Sequence, residues 1–283
     1  MNKMQIIVDS GSTKSDWAIV NGADAIRFQT EGINPLMQSA ESIREMLEKS
    51  YGGWEICEGS EMHFYGAGCV GERAKEVVRD ALSQLIRYED IEIASDLLGA
   101  ARALCGHEAG IACILGTGAN SCYYDGENIE ANTHPLGYIL GDEGSGAYIG
   151  KKIVSDALKG LMDDELTEKF WQWAGMSYEE IIEHVYRLPY PNRFLAGFTR
   201  FAAENIDNDV VRSIIRDAFV SFIDRNLMQY ERVGQVGIGY VGSVAIVFEE
   251  ILADVMRERG LKMGKMLKTP ISGLIEWHRE MSE

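Results

Sequence analysis

The chain has 283 residues, 46% of them hydrophobic and 25% charged, with a formal net charge of −17. That length allows two domains of ordinary size, and the acidic balance argues against a nucleic-acid partner, because phosphate backbones need Lys/Arg patches. No apolar run reaches membrane-spanning length, and Lys3 leads into a strand instead of a signal-peptide apolar region, so a cytoplasmic protein with no membrane partner is expected.

The first stretch organises the rest. Residues 6–8 read as a buried strand and 17–20 as its antiparallel partner, around a turn crowded with hydroxyls, Gly11 and Lys14. Such a turn can aim several backbone N–H groups at one point and so bind an anion. Asp9 closes the first strand beside it, which makes sense if a cation such as Mg²⁺ lies between carboxylate and phosphate. By itself the stretch also reads as an ordinary hairpin with a polar tip.

A third strand follows at 25–29, then a loop at 31–35 punctuated by Gly32 and Pro35, and a helix at 39–48 with Ile43, Met46 and Leu47 at helical spacing. Residues 62–68 form a strand running into a glycine turn, and 72–86 a long amphipathic helix. Residues 91–96 are a strand ending in the acid Asp96, and 97–104 a small-residue helix. This succession fits a mixed sheet with helices against it.

A second cycle starts near Gly110. Residues 111–115 are a strand, 116–121 a polar glycine turn, and 122–124 the return strand, which repeats the architecture of the opening hairpin. Residues 134–150 hold five glycines in close succession around the pair Asp142-Glu143, a composition suited to bringing backbone close to a ligand. Helices are expected at 151–161, 163–174 and 177–186, the last with Ser177 and Glu180 placed as a capping box. Two prolines break helicity over 187–193. Further helices are expected at 196–205 and 209–233, so the middle third is a helical insertion. Residues 236–245 return to strand and a glycine turn that opens a helix over 245–259, and Thr269-Pro270 marks a boundary before a final helix at 271–281.

The cysteines Cys57, Cys69, Cys105, Cys113 and Cys122 are odd in number and scattered, with no CxxC pair. They fit reduced, buried thiols and argue against a structural zinc or an iron–sulfur cluster. His107 and His134 read as surface or packing residues, and Trp171 and Trp173 as core of the helical insertion.

The order of these pieces resembles the actin-like ATPase and sugar-kinase superfamily, and within it the N-acetylglucosamine kinase group. Asp9-Ser10-Gly11-Ser12-Thr13-Lys14-Ser15 looks like the first phosphate motif and Leu115-Gly116-Thr117-Gly118-Ala119-Asn120-Ser121 like the second. Leu140-Gly141-Asp142-Glu143-Gly144-Ser145-Gly146 is similar to a signature of amino-sugar kinases and related ATPases, and Tyr240-Val241-Gly242-Ser243-Val244 to the adenosine motif. The resemblance covers essentially the whole chain. It implies an α/β fold of two ribonuclease-H-like domains with ATP in a cleft between them, residues 1–105 with the returning helix 271–283 forming one domain and 106–270, carrying the insertion 151–233, the other.

It implies roles as well: Asp96 as general base toward a sugar hydroxyl, and Asp9 as the Mg²⁺ ligand through water. ATP would meet Gly11, Ser12, Thr13, Lys14, Gly116, Thr117, Gly118, Gly239, Gly242 and Ser243. Asn34, Thr117, Gly118, Asp142 and Glu143 would meet the sugar, N-acetylglucosamine or a relative such as N-acetylmuramic acid. Taken singly, Asp96 also reads as a helix cap, Asp142-Glu143 as a solvated turn, Asn34 as a turn residue and Lys14 as a solvated side chain. The adenosine motif departs from the broader pattern, with Gly239-Tyr240-Val241-Gly242 where paired glycines are usual. The zinc-binding cysteine cluster of another bacterial sugar-kinase group is missing, which places the chain outside that group. Two other functions share the same ATP motifs: an activator of reductive CoA-ester enzymes, which the scattered cysteines disfavour, and a sugar sensor without catalysis, which intact Asp9 and Asp96 disfavour. The acidic surface and the insertion are compatible with a homodimer.

Overall fold

Continuous apolar runs fill the inner strands of two five-stranded sheets, which form in two separate units. One unit comprises Met1–Ala109, Tyr124–Ile129 and Thr269–Glu283; the other comprises Gly110–Tyr123 and Glu130–Lys268. The structure, a computed structural model, describes residues 4–11, 13–50, 52 and 60–281. Ser12 and Cys57 lie outside the described residues.

The first unit contains β1 (Gln5–Ser10), β2 (Lys14–Asn21), β3 (Asp24–Glu31), α1 (Ala40–Ser50), β4 (Ser60–Gly66), α2 (Glu72–Ser83), β5 (Tyr88–Ser95) and α3 (Asp96–Cys105). Its sheet order is β3-β2-β1-β4-β5. The first three strands are an antiparallel meander, and β4 and β5 join in parallel. Ile6, Val8, Trp17, Phe64 and Val78 are almost fully buried on its core.

The second unit contains β6 (Gly110–Leu115), β7 (Ala119–Tyr124) and β8 (Ile129–Asn132), then α4 (Gly137–Leu140), α5 (Gly146–Leu158), α6 (Asp164–Ala174), α7 (Tyr178–Tyr186), α8 (Pro191–Gly197), α9 (Thr199–Glu204) and α10 (Asp209–Arg225). A strand β9 (Ile238–Val241), helices α11 (Ser243–Val247) and α12 (Glu249–Glu258), and β10 (Met263–Leu267) follow, and α13 (Ile271–Glu280) closes the first unit. The second sheet runs β8-β7-β6-β9-β10. Position for position this is the order of the first sheet, with β9 and β10 again parallel, so the duplication of architecture expected from the hairpins extends to whole sheets. The helices between β8 and β9 share an aromatic core in which Phe170 stacks on Phe198 at 5.6 Å and meets Phe201 edge-on.

Several element boundaries differ from expectation. Strands β8 and β10 and helix α4 were not expected from sequence; β8 is exposed at three of its four positions, and β10 carries Gly264 and Lys265 with a register shift against β9. Helix α5 starts at Gly146, five residues earlier than its composition suggests, with Ser145 accepting from Tyr148 N as its cap. Pro191 does not merely break helicity: it occupies the first turn of α8, where its missing N–H costs nothing. The helix expected over 209–233 ends at Arg225, and a single 3₁₀ turn follows at Leu227–Gln229. The helix expected over 245–259 is two helices broken at the buried Phe248. The capping box at Ser177 and Glu180 forms as expected.

Candidate functional site

The first unit presents an acidic group at the carboxyl ends of β1 and β5. Asp9 lies opposite Asp16 in the antiparallel register of β1 and β2, so both carboxylates point to the same face. Asp16, which sequence reasoning did not single out, is 8% exposed. It accepts from Lys14 Nζ at 3.1 Å and from Gln29 Nε2 at 2.5 Å. Lys14 is thus committed to a neighbour in this structure. Burial, with the charges of Asp96 and Asp16 and against the pull of Lys14, pushes the Asp9 carboxyl up to about 8. The signal for Asp16 was present in the chain, as an acid inside an apolar strand at the pairing position of another acid.

Asp96 is the first residue of α3, directly after β5. Ser95, not Asp96, caps that helix by accepting from Leu98 N. Asp96 Oδ1 accepts from Leu97 N at 2.9 Å. Burial pushes its carboxyl up to about 6, with backbone N–H bonds opposing. A carboxylate so placed is more basic than an ordinary one yet ionised at neutral pH.

The turn between β1 and β2 is closed by Gly11 N donating to Lys14 O at 3.0 Å. The hydroxyls of Ser10 and Ser15 are not available to a phosphate. Ser10 Oγ accepts from Ile33 N at 2.9 Å, the two hydroxyl oxygens lie 2.7 Å apart, and their two protons are divided among that contact and the carbonyls of Ile33 and Glu31. These bonds tie the hairpin to the loop that carries Asn34, and Thr13 and Lys14 are exposed in the turn. Asn34 forms an Asx turn, its Oδ1 accepting from Leu36 N at 3.0 Å, and Gly68 must lack a Cβ because one would lie 2.5 Å from that oxygen. Asn34 therefore has the turn role that its residue type suggested.

In the second unit the turn Gly116-Thr117-Gly118 is docked on the start of α5. Gly146 N donates to Gly116 O at 2.8 Å and Ala147 N to Thr117 O at 3.0 Å. Asp142 stands beside this turn, its carboxylate 3.0 Å from where a Gly118 Cβ would be. It adopts φ +56, a left-handed conformation rare for a non-glycine residue. Burial raises the Asp142 carboxyl, Ala119 N–H and Lys151 opposing and Glu143 assisting. The Glu143 side chain is 10% exposed and accepts from Arg225 Nε at 2.5 Å. Arg225 and Asn226, from the end of α10, complete one wall of an open pocket whose empty space is about 380 Å³, open solvent at its mouth included. Asp142, Glu143, Thr133, His134 and Leu136 also line it. His134 is thus a pocket residue as well as an exposed one. Arg225 and Asn226 escaped sequence reasoning because the chain was expected to remain helical past them.

The remaining nucleotide candidates divide by structural role. Gly242 has φ +123, and a Cβ there would lie 2.2 Å from Leu115 O, so this glycine is required by the close approach of the turn to the end of β6. Gly239 sits inside β9 opposite Ala112, and Ser243 is exposed at the start of α11. Among the described residues no group of three or more His, Cys, Asp or Glu is set to hold a metal directly. The donor set around Asp9 still fits Mg²⁺, which commonly keeps its waters and is held by one or two carboxylates plus substrate phosphates. No helix among the described residues is long and apolar enough to cross a membrane.

A solved structure from Porphyromonas gingivalis, provisionally designated an N-acetylglucosamine kinase, is 44% identical, with a TM-score of 0.91, 98% of this chain and 99% of that one being covered. The chain belongs to the N-acetylglucosamine kinase family. An N-acetylmuramic acid/N-acetylglucosamine kinase of Clostridium acetobutylicum is 25% identical over 194 residues, a stretch spanning 63% of this chain and 63% of that relative. MreB5 of Spiroplasma citri bound to ADP shares the fold, with a TM-score of 0.63 at 11% identity over 99% of this chain and 96% of that one. The family therefore sits on the actin-like ATPase fold. No family model matches the sequence.

Proposed function

We propose that this chain transfers the γ-phosphoryl group of ATP to a hydroxyl of an amino sugar, N-acetylglucosamine or a close relative such as N-acetylmuramic acid. The observation that carries this reading is the full-length likeness to the P. gingivalis protein, and the two sugars named for the Clostridium relative support the choice of substrate class. Phosphoryl transfer asks a protein for positioning and charge neutralisation more than for covalent chemistry.

In this reading Asp96 takes the proton of the attacking sugar hydroxyl as the new O–P bond forms and the bond to the ADP oxygen breaks. Its carboxyl, raised to about 6 by burial, supports that role. The backbone amides of Thr13 and Lys14, and those of Thr117 and Gly118, hold phosphate oxygens, while the Gly11 and Gly116 amides close their own turns by donating to Lys14 O and Gly118 O. Asp9 would hold Mg²⁺, which would supply charge neutralisation to the phosphates. Gly242 and Ser243, at the turn that opens α11, lie along the adenosine, with Gly239 buried in β9 behind them. Asp142 and Glu143 accept from sugar hydroxyls, Glu143 being oriented by Arg225.

A coupled ADP-release assay over N-acetylglucosamine, N-acetylmuramic acid, glucosamine, N-acetylmannosamine and glucose tests the reading. Sugar-stimulated turnover is expected with at least one N-acetylated amino sugar. Turnover with none of the amino sugars refutes it.

A further inference from the structure

Helix α13 is held to the first unit by a buried polar network that the reaction above does not use. Arg102 Nη1 on α3 donates to Glu92 Oε1 of β5 at 2.8 Å and to the Tyr65 hydroxyl of β4 at 2.6 Å. Because a guanidinium can only donate, the Tyr65 proton is left for His278 Nε2 of α13, 2.9 Å away. His63 Nδ1 bonds Glu92 Oε2 at 3.1 Å, and its ring lies 3.8 Å from that of His278. The Arg102 guanidinium also rests on the Trp277 ring of α13 at 4.2 Å. Backbone packing reinforces these links. A Cβ at Gly273 of α13 would lie 2.4 Å from Ala103 O of α3, and one at Gly99 of α3 would lie 2.8 Å from Tyr65.

Two of these residues bracket the proposed base. Glu92 precedes Asp96 by four residues on β5, and Arg102 follows it by six on α3. Their ion pair therefore spans the strand-to-helix corner at whose apex Asp96 sits. An ion pair with one partner as exposed as Glu92 contributes little net stability. Its geometry is another matter, since two directional bonds from one guanidinium set both the angle of α3 on the sheet and its distance from α13.

We propose that Arg102, Glu92 and Tyr65 are positioning residues. They brace the β5–α3 corner against α13 so that the Asp96 carboxylate is held where the sugar hydroxyl reaches it. This rests on the reading of Asp96 as general base. The isosteric change Tyr65→Phe removes the oxygen that joins Arg102 to His278 and keeps the ring that packs on Gly99. Displacement of a reacting group by about 1 Å costs about a hundredfold in rate, so a loss of about ten- to a hundredfold in kcat is expected, with KM for ATP and sugar within about twofold.

The deciding experiment is a double-mutant cycle on the full-length protein, with folding verified by circular dichroism. If the network acts through Asp96, Tyr65→Phe produces no further loss of the residual rate in an Asp96→Asn background. An equal loss in both backgrounds, a loss confined to KM, or unchanged kcat overturns the proposal while leaving the base assignment standing. Full turnover in Asp96→Asn alone removes the base assignment and the proposal with it. Should Tyr65→Phe not fold, Glu92→Gln carries the same test, because that side chain is 39% exposed and the change is isosteric.

Discussion

Replacing Asp9 with Asn should make the ligand-free protein more stable at neutral pH. The Asp9 carboxyl is pushed from 3.8 to about 8 by burial and by its acidic neighbours. An acid whose folded value lies above its unfolded value contributes fully at low pH, and that contribution is lost as pH rises from about 4 to about 8. At pH 7 the folded chain keeps the proton and the unfolded chain does not, a gap of roughly 3 units at about 1.4 kcal/mol each. That sets a ceiling of about 4 kcal/mol, and relaxation and water entry bring the expected effect to about 2 kcal/mol, or several degrees in melting midpoint. The assay is thermal melting of wild type and Asp9→Asn from pH 5 to pH 9 in a chelator, and again with Mg²⁺ and ATP. His278 also adds a pH dependence in this range, since burial and His63 hold it down at about 2 in the folded chain while the unfolded chain takes up its proton near the ordinary histidine value. Taking the difference between the two proteins cancels its contribution. The variant should gain on wild type as pH rises, and Mg²⁺ with ATP should close the gap by stabilising wild type alone. A variant that is less stable than wild type at pH 8 in chelator would refute the account of Asp9 as a strained, cation-seeking acid.

Other expectations follow from the same geometry. Asp96→Asn should keep nucleotide binding, measured by calorimetry, and lose turnover by about 10²–10⁴-fold; the wild-type kcat should fall on the acid side near pH 6, where that carboxyl takes up its proton. Arg225→Gln should raise the sugar KM about tenfold with the ATP KM unchanged in steady-state kinetics, because Glu143 loses its charged donor. Gly150→Ala should destabilise the protein by about 3 kcal/mol or more in urea unfolding, since its Cβ would meet Leu195 O at 1.8 Å.

What the chain makes legible by itself is local. Strands β1, β2, β6 and β7 are apolar runs around polar glycine turns, helix α7 announces its cap through Ser177 and Glu180, and Asp96 stands at a strand end before a small-residue helix. Neighbours in sequence settle these features, so pattern and turn chemistry suffice. Gly146 and Gly150 behave differently. Their density around Asp142-Glu143 reads as a ligand loop, yet Gly146 is inside α5 and Gly150 is small because α8 presses its backbone against that helix. Edge strands β8 and β10 take their pairing from a sheet partner more than from their own residues. Asp16, Arg225 and the Arg102–Glu92–Tyr65 brace escape sequence reasoning for one physical reason. Each matters through the residue it meets across the fold, at separations from 7 to 82 positions along the chain, and only tertiary packing brings those partners together.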